Sequence, residues 1–459
     1  MPQDPASFRD PAGHVHFRGD RIYRTVLAPG TANYQAVAAS GFTEEAIRSG
    51  RLIEGTAVDA RLLQDEEPAA VYVIEHPRLD FISYPYEWSF FGLKAAALLT
   101  IDLHVDALAR GVTLSDASAY NIQFIGPQPL FIDYLSLIPY QEGQVWLGYR
   151  QFCEQFLNPL LLTAKTGVAF QTWYRGNLEG IPASSLKPLL PFRAKLDPRV
   201  GLHVVLQGRM QQNVTSSTVS RAQKVKLSRT GLEANLRSMR SWVAGLEPPG
   251  SHQTAWQSYE QNANYTTDER SSKARFISET VARVSARTVW DLGCNSGEYS
   301  EIALGAGARC VIGFEYDTGA LTAAFKRAVT KNLQLLPLWM DVANPSPSIG
   351  WQLQERRNLM DRRNADMVMC LALLHHLVLG RNLPLPQVLD WLISLAPHGV
   401  LEFVPKDDAM AKQLIALKPD IAPEYERSTV TELLRQRVRI DREEVVTESG
   451  RVLFAYSRA

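Results

Sequence analysis

The stretch Thr288-Val-Trp-Asp-Leu-Gly-Cys-Asn-Ser-Gly-Glu-Tyr-Ser300 decides the fold of this chain. A short apolar run ends at Asp291, small residues follow, and a segment of helical pattern begins after Gly297. This order predicts a buried parallel strand that passes through a tight loop into a helix, where open α/β sheets bind nucleotides. Gly293 lets the backbone turn sharply beside a ligand, and Asn295 tolerates a left-handed conformation better than most residues do.

Strands and helices alternate after this loop, which predicts a parallel sheet with crossover connections. Strands are expected at 288–293, 309–316, 333–341, 365–372 and 398–404, and helices at 297–306, 318–331, 347–361 and 384–396. A further helix is expected after a capping box that starts at Thr429. The segments 438–447 and 451–457 then predict two closing strands joined at Ser449-Gly450.

The loop resembles motif I of class I S-adenosylmethionine (SAM) dependent methyltransferases, although Asn295 replaces the usual middle glycine. A final antiparallel pair after five strand–helix units distinguishes that sheet from the sheet of a dehydrogenase. The predicted fold class of residues 251–459 is therefore α/β, a class I Rossmann-like methyltransferase sheet with a closing antiparallel hairpin. SAM is the cofactor that the resemblance implies.

Acids follow three successive predicted strands, which places them at one edge of the sheet. Asp291 is expected near the methionine end of SAM, Glu315 at the ribose hydroxyls, and Asp341 with Val342 at the adenine. The loop amides are expected to hold the methionine end as well. The complete predicted cofactor-binding set is Tyr259, Tyr265, Lys273, Asp291, Gly293, Cys294, Asn295, Gly297, Glu315, Tyr316, Asp341, Val342 and Leu371.

The fourth predicted strand runs into Ala372-Leu-Leu-His-His376, at the position that faces the transferred methyl group. Methyltransferases that act on base amines usually carry Asn/Asp-Pro-Pro-aromatic there, so that class is disfavoured. His375 or His376 could accept the proton of an acceptor hydroxyl, since histidine titrates near neutral pH. An equally open interpretation is that they pack against the cofactor. Glu402 and Lys406, near the end of the fifth strand, are candidate substrate contacts.

The whole pattern is similar to that of bacterial two-part class I methyltransferases that include host-specificity nodulation proteins. The segments that carry the resemblance are Trp256, Tyr259, Tyr265, Lys273, the motif I loop, Leu-Leu-His-His-Leu377, Glu402-Phe-Val-Pro-Lys406 and, earlier, Asp116-Ala-Ser-Ala-Tyr-Asn121 and Tyr149-Arg-Gln-Phe-Cys153. The resemblance implies methylation of a hydroxyl on a sugar or another secondary metabolite.

Residues 1–208 predict an α+β domain that resembles a degenerate protein-kinase-like or aminoglycoside-phosphotransferase-like fold. Asp116 and Asn121 are five residues apart, and Asp133 ends a later apolar strand. In kinases such a loop aspartate positions the acceptor hydroxyl, while the asparagine and the later aspartate hold the magnesium of ATP. The chain lacks a glycine-rich phosphate loop and a Val-Ala-Ile-Lys strand. A substrate-presenting domain and a working ATP-Mg²⁺ kinase both remain open, as does the interpretation that the acids only cap a turn and a strand.

Residues 209–250 predict a linker, in which the basic residues Arg221, Lys224, Lys226 and Arg229 lie close together, and an amphipathic helix after a capping box at Thr230. An RNA methyltransferase that uses this linker is one alternative, although 48 basic against 48 acidic residues give no net charge to favour nucleic acid. A non-catalytic SAM-binding regulator is another.

The lack of a secretory signal pattern and of a membrane-spanning apolar run predicts a cytoplasmic protein. The family resemblance implies a small-molecule acceptor. The four scattered cysteines have no Cys-x-x-Cys pair, which indicates reduced thiols. Apart from the possible ATP-Mg²⁺ residues Asp116, Asn121 and Asp133, the sequence singles out no metal ligands.

Overall fold

A computed structural model describes residues 3–206, 227–249, 266–416 and 422–458 of the 459-residue chain. The chain divides into two compact units, one within residues 1–251 and 348–356 and the other within residues 252–347 and 357–459. Among the described helices, none is both long enough and apolar enough to cross a membrane.

The first unit has eight short strands and ten α-helices in its described residues. The strands are β1 (Val15–Arg18), β2 (Arg21–Val26), β3 (Thr56–Val58), β4 (Tyr72–His76), β5 (Val112–Leu114), β6 (Ile122–Ile125), β7 (Gln128–Phe131) and β8 (Leu137–Pro139). The helices are α1 (Ala28–Ala39), α2 (Phe42–Arg48), α3 (Phe90–Ala109), α4 (Tyr149–Phe152), α5 (Asn158–Thr166), α6 (Gln171–Gly176), α7 (Ala183–Leu189), α8 (Phe192–Lys195), α9 (Pro198–Val200) and α10 (Arg229–Ala244). Two π-helical segments, Cys153–Leu157 and Gly201–Leu206, follow α4 and α9.

Strands β1 to β4 form an antiparallel sheet in the order β1-β2-β4-β3, and the pairs β5/β8 and β6/β7 form two further ladders. Strands β1 and β2 form a hairpin around Gly19, which has a positive φ of +58°. The capping box expected at Thr230 is wrong. The N-cap of α10 is Ser228, two residues earlier, whose side chain accepts from the Gly231 amide.

The second unit is built on one seven-stranded sheet in the order β11-β10-β9-β12-β13-β15-β14. The strands are β9 (Thr288–Leu292), β10 (Cys310–Glu315), β11 (Leu335–Trp339), β12 (Met367–Cys370), β13 (His398–Phe403), β14 (Arg439–Val445) and β15 (Val452–Ser457). The α-helices are α11 (Thr267–Val284), α12 (Glu298–Gly305), α13 (Thr318–Thr330), α14 (Leu385–Leu395), α15 (Ala409–Ile415) and α16 (Arg427–Arg435).

Strands β9 to β13 pair in parallel, whereas β15 pairs antiparallel with both β13 and β14. The α/β fold with five parallel strands and a closing antiparallel pair is therefore confirmed. Every residue of β9 is buried, as expected for a central strand that helices cover on both faces. The carboxyl ends of β9, β10 and β11 consequently meet at one edge of the sheet, where a ligand can bind.

The helix predicted over 347–361 is wrong. Residues 348–356 belong to the first unit and contain only a 3₁₀ turn, Trp351–Leu353. Gln352 and Leu353 both have positive φ, and Trp351 and Leu353 are about two-thirds exposed (64% and 66%). Trp351 and Leu353 therefore do not form a buried helical face.

The last helix begins earlier than predicted, because Glu426 rather than Thr429 is the N-cap of α16.

Candidate functional site

A cavity of about 410 Å³ opens at the carboxyl ends of β9, β10, β11 and β12 in the second unit. This volume lies in the range that small-molecule sites occupy. The residues that line it are Arg270, Lys273, Asp291, Gly293, Cys294, Asn295, Glu298, Tyr299, Phe314, Glu315, Tyr316, Asp317, Met340, Asp341, Val342, Ala343, Leu371, Ala372, Leu373, His376, Leu377, Gly380, Arg381 and Leu414. Ten of the thirteen predicted cofactor-binding residues are among them.

The loop after β9 turns as its sequence predicts. Gly293 has φ +72° and Asn295 has φ +49°, so the asparagine adopts the left-handed conformation that was expected of it. The amides of Gly293 and Cys294 donate to the Phe314 carbonyl at 2.8 and 3.0 Å. The Asn295 amide donates to Glu315 Oε2 at 2.9 Å. These loop amides are used within the protein, which corrects the expectation that they would hold a ligand.

Gly297 does not line the cavity. Its amide donates to the Cys294 carbonyl at 2.9 Å, and a β-carbon there would come within 2.9 Å of Leu335 Cδ2. Gly297 therefore permits the close approach of the loop to the sheet, and its cofactor contact stays a prediction.

The side-chain oxygen of Asn295 is buried and has no hydrogen-bond partner among the described residues. Buried polar atoms are almost always paired, so an orphan on the wall of a cavity points to a ligand donor. This acceptor lies in the loop where the methionine end of SAM was expected.

Asp291 is 1% exposed and accepts a 2.6 Å hydrogen bond from Ser300 Oγ. Burial raises its pKa to about 6, against the opposing effects of Ser300 and the Lys273 charge. Glu315 accepts from the Asn295 and Asp317 amides at 2.9 and 2.8 Å, one on each oxygen. Burial nevertheless raises the Glu315 pKa to about 7.

Asp341 uses one oxygen to accept from the Ala343 amide at 3.0 Å and the other to accept from Arg381 at 3.2 Å. Beside it, the exposed ring of Tyr316 lies 5.8 Å from the Trp339 ring, measured between centroids. The edge of the cavity at β10 and β11 therefore combines acceptors with an aromatic face.

Glu402 was predicted at the substrate rim, and this is wrong. It is completely buried, accepts from Lys273 Nζ at 2.6 Å and from the Ala372 amide at 2.9 Å, and lies 3.8 Å from Arg451. Arg451 in turn makes a bidentate pair with Asp408 at 2.8 and 3.0 Å. Glu402 thus holds two cavity residues, Lys273 and Ala372, and Ala372 has a positive φ of +47°.

Lys406 also does not line the cavity; its ammonium lies 4.0 Å from Glu426. The two histidines differ in their relation to the cavity, although their ring centroids are only 4.2 Å apart. His376 lines the cavity, whereas His375 is completely buried away from it, with no hydrogen-bond partner for either ring nitrogen among the described residues. Burial lowers the pKa of His376 to about 4, so it does not titrate near neutral pH as expected.

Arg270 lines the cavity and was missed by sequence reasoning. It lies three residues before Lys273 on α11, and residues at this spacing share a helix face. That periodicity could have identified it. The predicted contacts Tyr259 and Tyr265 lie outside the described residues, as do Arg221, Lys224 and Lys226 of the basic linker.

In the first unit the structure brings Asp116, Asn121 and Asp133 together. Asn121 Nδ2 donates to Ser136 Oγ at 3.1 Å, and Ser136 also donates to Asp133. Arg24 lies 2.9 Å from Asp133 Oδ1 and supplies the positive charge beside it. Burial and the Asp133 charge raise the pKa of Asp116 to about 6. The ATP-Mg²⁺ role of these residues remains a prediction, as does the kinase-like fold.

Comparison with known proteins gives one full-length relative. Nodulation protein NoeA of Rhizobium meliloti (strain 1021) is 41% identical over 458 residues, which cover 99% of this chain and 95% of the relative. No family model matches the chain.

Two of the similar solved structures are methyltransferases. Magnesium protoporphyrin IX methyltransferase from Synechocystis PCC 6803, with bound SAH, shares 19% identity and a TM-score of 0.32 over 45% of this chain and 95% of that one. N-methyltransferase NodS from Bradyrhizobium japonicum WM9 shares 12% identity and a TM-score of 0.30 over 42% and 97%.

Proposed function

This chain belongs to the family of the nodulation protein NoeA, and we propose that it is a SAM-dependent methyltransferase. The observation that carries the proposal is the convergence of Asp291, Glu315 and Asp341 on one cavity at the ends of three neighbouring strands. A single acid at the end of a strand would be explained by capping of that strand alone. Three around a single small-molecule cavity match the three polar parts of SAM.

The charge of the cavity supports a cationic cofactor. Its lining holds five acids (Asp291, Glu298, Glu315, Asp317 and Asp341) and three permanent cations (Arg270, Lys273 and Arg381). Five minus three leaves two negative charges when every acid is ionised. A cavity with excess negative charge attracts a sulfonium ligand electrostatically.

The residues present fit the parts of SAM. Each carboxylate oxygen of Glu315 accepts one amide and has a further lone pair, so this side chain would accept from both ribose hydroxyls. Asn295 Oδ1 would accept from the methionine ammonium, and Arg270 would meet its carboxylate. Asp341 and Val342 would contact the adenine, with the Tyr316 ring beside them.

Bound SAM would supply an electrophilic methyl group on its sulfonium sulfur. The protein's task is then alignment and exclusion of water, which the apolar wall of Leu371, Leu373 and Leu377 would provide. His376 is neutral at pH 7 because burial lowers its pKa to about 4. It would orient the acceptor hydroxyl by a hydrogen bond and take its proton as the oxygen–carbon bond forms and the carbon–sulfur bond breaks.

We propose that the acceptor is a hydroxyl group on a sugar or another secondary metabolite. The sequence after β12 supports this choice, since Ala372-Leu-Leu-His-His376 provides no Asn/Asp-Pro-Pro-aromatic clamp for a base amine. The first unit would bind or present that acceptor.

Incubation of a clarified lysate with the protein and methyl-deuterated SAM should label a small molecule. We expect mass spectrometry to find a product that carries CD₃ and resists mild acid, as a methyl ether does. His376→Ala should lower its yield at least about tenfold, while Glu424→Ala, an exposed change in the same unit, should not. Labelled RNA or protein with no labelled small molecule would overturn the choice of acceptor.

Cofactor affinity should fall as the pH falls below about 7. Glu315 can accept from two hydroxyls only as a carboxylate, and its pKa of about 7 means that binding at lower pH must first release a proton. The dissociation constant for SAM should therefore rise up to about tenfold between pH 7 and pH 6, and Asp291 should extend the effect near pH 6.

Calorimetric titration of the wild type and of Glu315→Gln at pH 8, 7 and 6 would test this dependence. The variant should bind more weakly throughout but lose less affinity as the pH falls. Comparison at each pH cancels the titration of the cofactor's own amino group. Parallel pH profiles for the two proteins would contradict the ribose assignment of Glu315.

A further inference from the structure

Two histidines and a glutamate form a cluster in the first unit that the proposed function does not use. We propose that His14, His16 and Glu67 bind a divalent transition metal ion, with Zn²⁺ as the best match. One ligand atom from each residue can be chosen so that all three lie within 4.8 Å of one another. Imidazole nitrogens with one carboxylate are a ligand set that zinc commonly takes.

The distances fit a tetrahedral ion after a small adjustment. Ligands about 2.0–2.1 Å from a tetrahedral centre are about 3.3–3.4 Å apart. His14 Nδ1 lies 2.6 Å from Glu67 Oε2, and His16 Nε2 lies 3.8 Å from the same oxygen. These two separations bracket the required value, and the ligand atoms of His14 and His16 lie within 4.8 Å of each other. Side-chain rotations would bring the three ligand atoms to tetrahedral spacing.

Regular backbone structure fixes the two histidines. His14 immediately precedes β1 and His16 is the second residue of that strand, so the two histidines are two residues apart. The Thr25 amide donates to the His14 carbonyl at 2.9 Å, and the His14 amide donates to Thr25 Oγ1 at 2.9 Å. His16 lies opposite Tyr23 in the ladder with β2. The imidazoles are therefore held in register by a hairpin rather than by a loose terminus.

The carboxylate is positioned by a separate anchor. The Glu67 amide donates to the Leu63 carbonyl at 2.8 Å, which places Glu67 one helical turn after Leu63. Leu63 is completely buried in a small core with Tyr23 and Val73. Two segments more than fifty residues apart in sequence thus bring the ligands together.

His16 supplies the independent sign of a missing ligand. His16 is only 2% exposed, yet neither of its ring nitrogens has a hydrogen-bond partner among the described residues. The side chains of His14 and Glu67 keep 20% and 16% exposure, so water can reach the fourth position.

The ion would cross-link the start of the β1 hairpin to the segment that ends at Glu67. A ligand that binds only the folded state adds RT ln(1 + [L]/Kd) to its stability. We therefore expect Zn²⁺ to stabilise the first unit, and the methyl-transfer cavity plays no part in the measurement.

The test uses the full chain, stripped with a chelator and titrated with Zn²⁺ alone. We expect one equivalent to bind with a micromolar or lower Kd and to raise the melting temperature. Glu67→Gln keeps the size of the side chain but removes the charged ligand, and His16→Ala removes an imidazole. Each should weaken binding at least about tenfold and abolish the thermal shift.

Glu66→Gln is the matched control, because it removes the same charge from the neighbouring residue. It should leave the affinity within about threefold of the wild type. Equal losses in Glu66→Gln and Glu67→Gln would show general electrostatic attraction and overturn the site. X-ray absorption of the zinc-loaded protein should show two imidazole ligands; none, or binding retained in His16→Ala, would also overturn it.

Discussion

Gly293→Arg should abolish detectable SAM binding. Gly293 has φ +72°, where a β-carbon costs about 1–2 kcal/mol, and that carbon would contact Leu373 at 3.6–3.8 Å. The remaining side chain must extend into the cavity, where it adds bulk and a positive charge beside a cationic cofactor. We expect the dissociation constant for SAM to rise at least about 100-fold, or about 2.7 kcal/mol.

Two controls separate loss of the site from loss of the fold. Gly293→Ala introduces the same backbone cost without bulk or charge, so its affinity should fall by about tenfold or less. Glu424→Arg adds a cationic side chain at an exposed position of the same unit and should change nothing. Calorimetry, with circular dichroism as the check on folding, would decide. A well-folded Gly293→Arg protein that binds SAM normally would refute the cofactor assignment of this cavity.

Lys273→Met should destabilise the second unit by about 3–5 kcal/mol. Lys273 is 2% exposed and Glu402 is 0% exposed, and their charged atoms are 2.6 Å apart. Removal of one partner leaves an uncompensated buried charge, which is far more costly than the loss of the pair as a whole. Arg451, at 3.8 Å, is committed to Asp408 and cannot replace the lysine.

The measurement is the free energy of opening, from hydrogen exchange of the amides of β9 and β13. Lys273→Met combined with Glu402→Gln should recover part of the loss, since the buried charge is gone. Arg427→Met breaks a comparable but exposed pair with Glu443 (2.8 Å) and should cost about 1 kcal/mol or less. If Lys273→Met and Arg427→Met lower the free energy of opening equally, the buried pair of Lys273 and Glu402 contributes no more to stability than the exposed pair.

Most of the second unit could be predicted from its sequence because its signals are local. Strands β9, β10, β11, β12 and β13 all fall inside their predicted ranges, since a buried parallel strand reads as a short apolar run. Asn295 was recognised as the residue that takes the left-handed turn. The acids that follow three strands reach one cavity because parallel strands end at the same edge.

Side-chain direction could not be predicted in the same way. His375 and His376 are neighbours with the same chemistry, but only the packing of the segment after β12 decides which one faces the cavity. Glu402 and Lys406 were both predicted as substrate contacts because both lie near the end of the fifth strand. Glu402 is instead buried because Lys273, 129 residues earlier, brings it a counter-ion.

The sequence alone determined the strands of the sheet, its closing antiparallel pair and the acids at its edge, because these depend on local periodicity and on turn residues. Only the tertiary structure decided which polar groups are buried pairs, which face the cavity and which meet across the chain. The cluster of His14, His16 and Glu67 is an example, since no spacing rule joins residues so far apart. Burial and partner choice depend on contacts between distant segments, and a linear pattern does not contain them.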